Sequence, residues 1–183
     1  MHFAVTDFLQ DIVQNSVEAG AGMIMVDIVE TPAEYLIYVA DDGHGMSREV
    51  LRRALDPFYT DGRKHKKRKV GLGLAFLNQA VKAVDGDFEI DSRAGEGTTV
   101  RFSFPKSHID CPPLGNLPET LLWMFAYPGG YELNVTRELN GKKYTALRGE
   151  LAEAVGGWTD ARSLKLAGEY LAGLENAAGG DNG

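Results

Sequence analysis

The sequence has little cysteine and no long apolar run, and each of these absences excludes a class of protein. Cys111 is the single cysteine among 183 residues, which excludes an internal disulfide and a zinc cluster built on cysteines. No apolar stretch approaches the ~18 residues of a membrane span, and residues 1–20 lack the pattern of a secretory signal. We therefore expect a cytoplasmic protein without a membrane anchor.

Positive charge is also scarce overall, but it is concentrated in one place. The 19 Lys and Arg residues are outnumbered by 26 Asp and Glu, which gives a net charge of −7 and makes nucleic acid an unlikely partner. Residues 61–70, DGRKHKKRKV, nevertheless carry +5, which leaves −12 on the other 173. With 44% hydrophobic and 25% charged residues, the chain is expected to be globular, with one domain plus an appendage.

Helical and strand patterns alternate over residues 1–105. Apolar residues recur at helical spacing over 6–19, with Thr6 as the expected cap and Gly20 after the end. Ser47 is expected to cap a short helix, and residues 56–71 lack periodicity, which predicts a loop. The remaining predictions are helices over 48–55 and 72–84 and strands over 23–30, 35–40, 87–92 and 99–104. This order predicts an α/β (α+β) two-layer sandwich, in which helices cover one face of a mixed β-sheet.

Residues 106–183 are predicted to form a small C-terminal α/β extension of unknown function. Pro112-Pro113 interrupts the chain, and Asn116 suits the start of a helix over 118–126. Residues 131–148 predict a hairpin that turns at Asn140-Gly141. A further helix is predicted over 160–175, and the last seven residues, AAGGDNG, are expected to be frayed.

Two polar residues on the first helix form a candidate metal site. Asp11 and Asn15 are four residues apart, so they share one helix face. A carboxylate and an amide oxygen suit a hard cation such as Mg²⁺ and a nearby water. Two solvated side chains on an exposed face would give the same spacing.

Two glycine-containing segments form the other candidate sites. Asp41-Asp42-Gly43-His44-Gly45-Met46 follows an apolar strand, where the glycines allow close approach of the backbone to a ligand, although such a turn is also common without one. Val70-Gly71-Leu72-Gly73-Leu74 opens a predicted helix, where exposed backbone N–H groups favour a phosphate.

The order of these segments resembles the Bergerat-fold ATPases. These are the GHKL superfamily of gyrase-type topoisomerases, ninety-kilodalton heat-shock chaperones, histidine kinases and MutL. The segment Asp56-Pro57-Phe58-Tyr59-Thr60 lies at the expected place between the two glycine motifs, and Ser92–Val100 is similar to the closing hairpin of histidine-kinase ATP domains. The resemblance covers residues 5–105 and implies ATP and Mg²⁺ as cofactors.

The resemblance also implies roles for single residues. Asn15 matches a Mg²⁺ ligand, Asp41 matches the acceptor for the adenine amine, and Thr98 matches a residue that reaches adenine through water. Phe58 matches the aromatic residue before a mobile lid. The other nucleotide-contacting positions implied are Gly43, Gly45 and Met46 near the purine, and Gly71, Leu72, Gly73 and Leu74 near the phosphates. Lys69 is a further candidate contact, taken from the basic run before Gly71.

Two positions depart from the family pattern. Asp11 stands where the hydrolysing branches usually have Glu, and its shorter side chain predicts slow hydrolysis if it is the general base. The basic run of Arg63, Lys64 and Lys66–Lys69 has three open interpretations. It is a solvated loop, a lid whose cations close over the β- and γ-phosphates, or a contact for nucleic acid or an acidic protein.

The sequence therefore predicts a MgATP-binding regulator or slow ATPase, with ATP/ADP and a protein partner as ligands and homodimerisation left open. The alternative is a protein kinase that phosphorylates a histidine or serine of a separate partner, as in histidine kinases or anti-sigma-factor kinases. As a whole, the chain resembles small bacterial proteins with one such ATPase domain and a short extension. His108 echoes a phosphoacceptor histidine only faintly, and a linker histidine is the simpler interpretation.

Overall fold

The computed structural model describes residues 4–56 and 72–179. Within these residues, six helices accompany six strands that form one sheet. In chain order the elements are α1 (Val5–Glu18), β1 (Met23–Glu30), β2 (Glu34–Asp41), α2 (Arg48–Ala54), α3 (Leu72–Ala83), β3 (Phe88–Arg93), β4 (Gly97–Pro105), α4 (Leu117–Ala126), β5 (Glu132–Leu139), β6 (Lys142–Leu147), α5 (Arg148–Val155) and α6 (Ala161–Gly179).

The sheet is mixed and its strand order is β3-β4-β2-β1-β5-β6. β1 and β5 run parallel, whereas the other neighbouring strands are antiparallel. The alternating side chains of β1 show how the sheet is covered. Ile24, Val26 and Ile28 are at most 1% exposed and share one core with the helices, whereas Met23 and Met25 on the opposite face are 38% and 49% exposed. The predicted fold class, a mixed sheet covered on one face by helices, is confirmed.

Helix α1 follows the predicted apolar stripe, but its start differs from the prediction. Thr6 lies buried inside the helix and does not cap it. Instead, the N–H groups of Val5 and Thr6 donate to the carbonyl oxygens of Pro113 and Leu114, each at 2.9 Å. Backbone from beyond β4 thus satisfies donors that a capping side chain usually serves. Gly20 follows the helix end with a positive φ of 74°, as expected of a helix terminator.

The remaining elements lie close to their predicted ranges, with two exceptions. Ser47 Oγ accepts from Val50 N at 3.3 Å and Asn116 Oδ1 accepts from Glu119 N at 3.3 Å, so both predicted caps are confirmed. Helix α5 was not predicted, because Leu151 is its single buried side chain and gives no stripe. Helix α6 continues to Gly179, so residues 177–179 are helical where fraying was predicted.

The C-terminal hairpin joins the same sheet as the N-terminal elements. β5 pairs with β1 from Met23↔Glu132 to Glu30↔Leu139, and α4 packs against α1. The boundary at residue 105 stays a prediction, and the two segments that it separates share one sheet. No helix within residues 4–56 and 72–179 is both long enough and apolar enough to cross a membrane.

A buried ionic cluster ties β1 to the C-terminal elements. The Arg137 side chain, which is fully buried, pairs with Glu30 on β1 and with Glu175 on α6, the latter at 3.0 Å. Lys106 Nζ lies 2.7 Å from Glu30, and Tyr144 donates to Glu175 at 2.8 Å. We call these five residues the Arg137 cluster. Burial, followed by the hydrogen bond to Glu175, raises the pKa of Tyr144, which keeps it a neutral donor.

Candidate functional site

A cavity of ≈ 560 Å³ opens between α1, α2, the start of α3 and one end of the sheet. Its walls are mainly apolar side chains from these elements, including Ile12, Val39, Val50, Leu74 and Val100. Six of the residues singled out in the sequence line it, namely Asn15, Asp41, Gly45, Met46, Leu74 and Thr98. The structure therefore brings four separate sequence motifs together around one space.

Strand register explains why Asp41 and Thr98 are neighbours. Asp41 on β2 stands opposite Thr98 on β4. The carboxylate of Asp41 is held from two sides, because Oδ2 accepts from Ser16 Oγ at 2.7 Å and Oδ1 accepts from Gly43 N at 2.9 Å. A carboxylate can accept more than one hydrogen bond per oxygen, so this orientation still leaves Asp41 able to accept from a ligand.

Sequence reasoning missed Ser16, which is 3% exposed on α1. Its position directly after Asn15 is the one sequence signal that could have indicated a role for it. Because Ser16 falls on the apolar stripe of the helix, the periodicity identifies it as a core position only. The neighbouring Asp42 behaves differently from Asp41. It accepts from Met23 N at 2.9 Å and Gly22 N at 2.7 Å, and these backbone hydrogen bonds lower its pKa. Asp42 thus fixes the start of β1.

The glycines of the Asp41–Met46 loop are required by close contacts within the protein. Gly45 has a φ of +58°, and a Cβ atom there would lie 2.0 Å from the carbonyl oxygen of Arg93. A Cβ on Gly43 would meet the Ala19 side chain at 2.9 Å. Gly95 N also donates to His44 O at 2.7 Å. The loop is therefore pressed against the β3–β4 hairpin and forms a fixed wall of the cavity.

Ser92 is a second residue that sequence reasoning left without a role. Its hydroxyl accepts from Met46 N at 2.9 Å, lies 2.8 Å from Thr98 Oγ1 and lies 3.2 Å from Gly97 O. Only strand pairing reveals this arrangement, because Ser92 stands opposite Thr98 in the β3–β4 register. The hydroxyl connects the loop after β2 with the first residues of β4.

Asp11 and Asn15 share a face of α1, as predicted, but they have different surroundings. Asn15 lines the cavity, whereas Asp11 is absent from the residues that border it. Asp11 lies where α1 meets α3, and a Cβ atom on Gly73 would be 3.3 Å from Asp11 Oδ2. Gly73 therefore allows the start of α3 to approach the Asp11 carboxylate.

Several predicted site residues lie outside the described part of the chain. These are Phe58, Lys69, Gly71 and the basic run over 63–69. Leu72 begins α3. Within residues 4–56 and 72–179, no group of three or more His, Cys, Asp or Glu side chains could hold a metal ion. A cation near Asn15 would thus need oxygen ligands from another source, and Mg²⁺ commonly takes them from substrate phosphates and water.

The cavity fits a nucleotide in its chemistry. Its apolar walls suit a flat aromatic ring, and Asp41 at its sheet end can accept from a ring amine. Gly73 and Leu74 lie in the first turn of the twelve-residue helix α3, where backbone N–H groups attract phosphate. Asn15 supplies an amide oxygen on the facing helix.

Comparison with known proteins identifies the family of this chain. Residues 4–108 match the family model for "Histidine kinase-, DNA gyrase B-, and HSP90-like ATPase". Sporulation kinase C of Bacillus subtilis (strain 168) is 32% identical over 97 residues, which cover 52% of this chain and 22% of that protein. Sensor histidine kinase WalK of the same strain is 33% identical over 107 residues, covering 55% and 18% respectively. The chain thus spans about a fifth of the length of these relatives.

A solved structure resembles a larger part of the fold. The match to the crystal structure of the N-terminal domain of a DNA repair protein covers 88% of this chain and 58% of that chain, with a TM-score of 0.54 and 14% identity. This likeness concerns the fold alone. Because the family model covers more than half of the residues, the chain belongs to the histidine kinase-, DNA gyrase B- and HSP90-like ATPases, and it contains a histidine-kinase-like ATP-binding domain.

Proposed function

We propose that this chain binds MgATP in the cavity beside α1 and acts as a nucleotide-dependent regulator or slow ATPase. The observation that carries the proposal is the Asp41 carboxylate, held by Ser16 and Gly43 at the end of an apolar cavity. A fixed acceptor in apolar surroundings selects a ring that offers an amine, as adenine does, and disfavours one that offers a carbonyl there.

The other roles follow from where the side chains stand. Asn15 would hold Mg²⁺, which supplies charge neutralisation for the phosphates when it is bound. Gly73 and Leu74 would face the phosphates at the start of α3, and Thr98 would contact the adenine ring. Phe58, Lys69, Gly71 and Leu72 retain their predicted roles near the lid and phosphates. A cytoplasmic location, expected from the sequence, is part of this proposal.

Titration calorimetry with ATP and GTP tests nucleotide binding. We expect ATP to bind in the presence of Mg²⁺ and GTP to bind at least ten-fold more weakly, because guanine places an acceptor against Asp41. Asp41→Asn should remove most of this preference. Asp27→Asn is the matched control, since Asp27 lies on the exposed face of β1. If ATP does not bind to the unaltered chain, the proposal is wrong.

Slow hydrolysis is the expected consequence of Asp11. We propose that Asp11 acts on the attacking water and that its short side chain limits the rate. Asp11→Asn should abolish turnover while ATP still binds, and Asp11→Glu should raise turnover. The measurement is steady-state phosphate release at saturating ATP. Unchanged turnover in Asp11→Asn would assign the base elsewhere.

Phosphotransfer to a partner is the second candidate function, and the histidine kinases among the relatives favour it. His108 is a poor acceptor for the same chain's ATP. β4 joins the Asp41 end of the sheet to the Glu34 end, and its nine residues span about 26 Å at ~3.3 Å per step. His108 follows β4 at that far end.

Labelled ATP separates the two candidates. The chain should be incubated with radiolabelled ATP and with proteins that co-purify with it, and labelled protein should be separated by gel. Label on a separate partner supports the kinase, whereas nucleotide-dependent association without label supports the regulator. His108→Ala is the control variant, and we expect it to change neither result.

A further inference from the structure

We propose that Ser92 is a positioning residue of the nucleobase pocket, which fixes the Thr98 hydroxyl and the Met46 backbone in the arrangement that recognises adenine. This inference rests on the proposed function, because it requires ATP in the cavity. Nothing in the sequence motifs assigns Ser92 a ligand contact, and it is absent from the residues that line the cavity. Ser92 would act through Met46 and Thr98, which line the cavity.

The position of Ser92 is well defined by its surroundings. The residue is 7% exposed and lies opposite Thr98 in the β3–β4 register. Its hydroxyl is within hydrogen-bond distance of Met46 N at 2.9 Å, Thr98 Oγ1 at 2.8 Å and Gly97 O at 3.2 Å. One buried oxygen thus contacts both the loop after β2 and the start of β4.

Counting protons shows what this geometry does to Thr98. A serine hydroxyl has one proton to donate and two lone pairs that accept. Met46 N–H occupies one lone pair of Ser92. Gly97 O can only accept, so the one proton of Ser92 is donated to it, and the second lone pair of Ser92 accepts from the Thr98 hydroxyl. All three contacts are then satisfied, and Thr98 Oγ1 presents its lone pairs, not its proton, to the cavity.

The resulting pattern is complementary to adenine. Asp41 presents an acceptor, and Thr98, directly opposite in the strand register, presents a second acceptor, to which a bound water can donate. The Watson–Crick edge of adenine offers an amine donor beside a ring-nitrogen acceptor, whereas guanine offers a carbonyl acceptor beside an N–H donor. A water that donates one proton to Thr98 Oγ1 has its other proton for the ring nitrogen of adenine, whereas guanine places an N–H there. Ser92 therefore contributes to specificity by keeping the Thr98 proton away from the cavity, which orients this water.

Ser92 also holds the wall against which the base would lie. Without its oxygen, the N–H of Met46 would lose the acceptor that it has, and a buried unpaired donor is unfavourable. The loop would keep its second connection to the hairpin, from Gly95 N to His44 O at 2.7 Å. We therefore expect loss of Ser92 to loosen the pocket at Met46 without releasing the whole loop.

The test compares ATP with 1-deazaadenosine triphosphate, which keeps the amine but replaces the ring nitrogen with C–H. The unaltered chain should bind ATP about five-fold more tightly, the effect of one hydrogen bond. Ser92→Ala should reduce this preference to below two-fold. Thr98→Val should do the same, and the double variant should show no further loss, because both changes remove one interaction.

Ser103→Ala is the matched control. Ser103 is 2% exposed on the same hairpin, and its hydroxyl accepts from Asp87 N at 3.1 Å, but it lies away from the cavity. This variant should keep the full preference for ATP. Ser92→Cys, whose sulfur accepts and donates hydrogen bonds more weakly than oxygen, should give an intermediate preference. It replaces Ser92→Ala in the test if Ser92→Ala does not fold.

The outcomes separate this inference from the function on which it rests. Failure of the unaltered chain to bind ATP overturns both. Binding of ATP by Ser92→Ala, or by Ser92→Cys in its place, with the preference of the unaltered chain overturns the role of Ser92 alone. Equal loss of preference in the Ser103→Ala control would show a general effect on folding and would also overturn it.

Discussion

Ser16 on α1 donates a hydrogen bond of 2.7 Å to the Asp41 carboxylate at the end of β2. The two residues are 25 positions apart in the sequence. Their contact links the helix that carries Asn15 to the strand that carries the proposed adenine acceptor. Ser16 is thus placed to orient Asp41, and it also lines the cavity.

Removing this hydroxyl should weaken ATP binding. We expect Ser16→Ala to raise the dissociation constant about ten-fold, because hydrogen bonds to charged groups contribute ~1.5–3 kcal/mol and Gly43 N still holds the other oxygen of Asp41. Titration calorimetry measures the change. Ser163→Ala is the control, since the Ser163 hydroxyl lies 2.7 Å from the Asp160 carboxylate on the C-terminal side of the molecule. Equal losses in both variants would contradict the role of Ser16.

Gly45 should tolerate no side chain. Gly45→Ala must accommodate a positive φ, at about 1–2 kcal/mol, and also a Cβ atom that would be 2.0 Å from the Arg93 carbonyl oxygen, which adds about 1–3 kcal/mol. Gly95→Ala is the control, because Gly95 has a φ of +84° but open space around it. Thermal unfolding should show a clearly larger loss for Gly45→Ala. Similar losses would mean that the close contact is easily relieved.

The Arg137 cluster should make the free energy of unfolding decrease as the solution becomes acidic. Burial raises the pKa of Glu30, but hydrogen bonds from Lys106 and Arg137 and their charges outweigh it, so the pKa lies below its ordinary value of 4.5. The ionised Glu30 therefore stabilises the native state above pH 4.5, and this contribution is lost as the pH falls through the lowered native pKa.

Glu30→Gln tests that contribution. We expect it to lower the free energy of unfolding at pH 7 by about 2 kcal/mol, the value of a hydrogen bond between charged groups, and to flatten the decline in acid. Denaturant unfolding at pH 7 and pH 3.5 measures both effects. Glu89→Gln is the control, because its ion pair with Arg101 at 3.6 Å is exposed and should matter little. An equal pH dependence in Glu30→Gln and the unaltered chain would be inconsistent with this account.

The residues after the family match should be needed for folding. A chain that ends at residue 108 would lose β5 beside β1 and the carbonyl oxygens that accept from Val5 and Thr6. We expect it to lack a cooperative unfolding transition, whereas a chain that ends at residue 179 should keep one. Circular dichroism during heating distinguishes them. A cooperative transition in the shorter chain would show that the first four strands suffice.

Local patterns predicted much of the fold because the stripe of α1 and the alternation of β1 are properties of neighbouring residues. Contacts between distant residues were not accessible in the same way. Thr6 failed as a cap because Pro113 and Leu114 supply the acceptors, and α5 has too few buried residues to leave a pattern. That β5 would pair with β1 could not be predicted, since a hairpin pattern does not identify the strand beside which it lies.

The residues of the candidate site fall into the same two groups, those predictable from local sequence and those that depend on contacts between distant residues. Asn15, Asp41, Gly45 and Thr98 stand in motifs whose order is readable, and the structure gathers them around one cavity. The supporting contacts of Ser16 and Ser92 depend on strand register and helix packing. Serine is common in helices and in strands, so the residue type alone does not indicate which serine hydroxyl is buried against a carboxylate or a second hydroxyl.

The parallel pairing of β1 with β5 has a consequence for how the protein is made. Residue 23 pairs with residue 132, 109 positions later, so β1 lacks one neighbour during synthesis until residues 132–139 have left the ribosome. Such late pairing slows folding and leaves an unpaired strand edge next to apolar side chains. We expect the nascent chain to depend on chaperones during this interval, and we expect slow translation before residue 132 to increase aggregation.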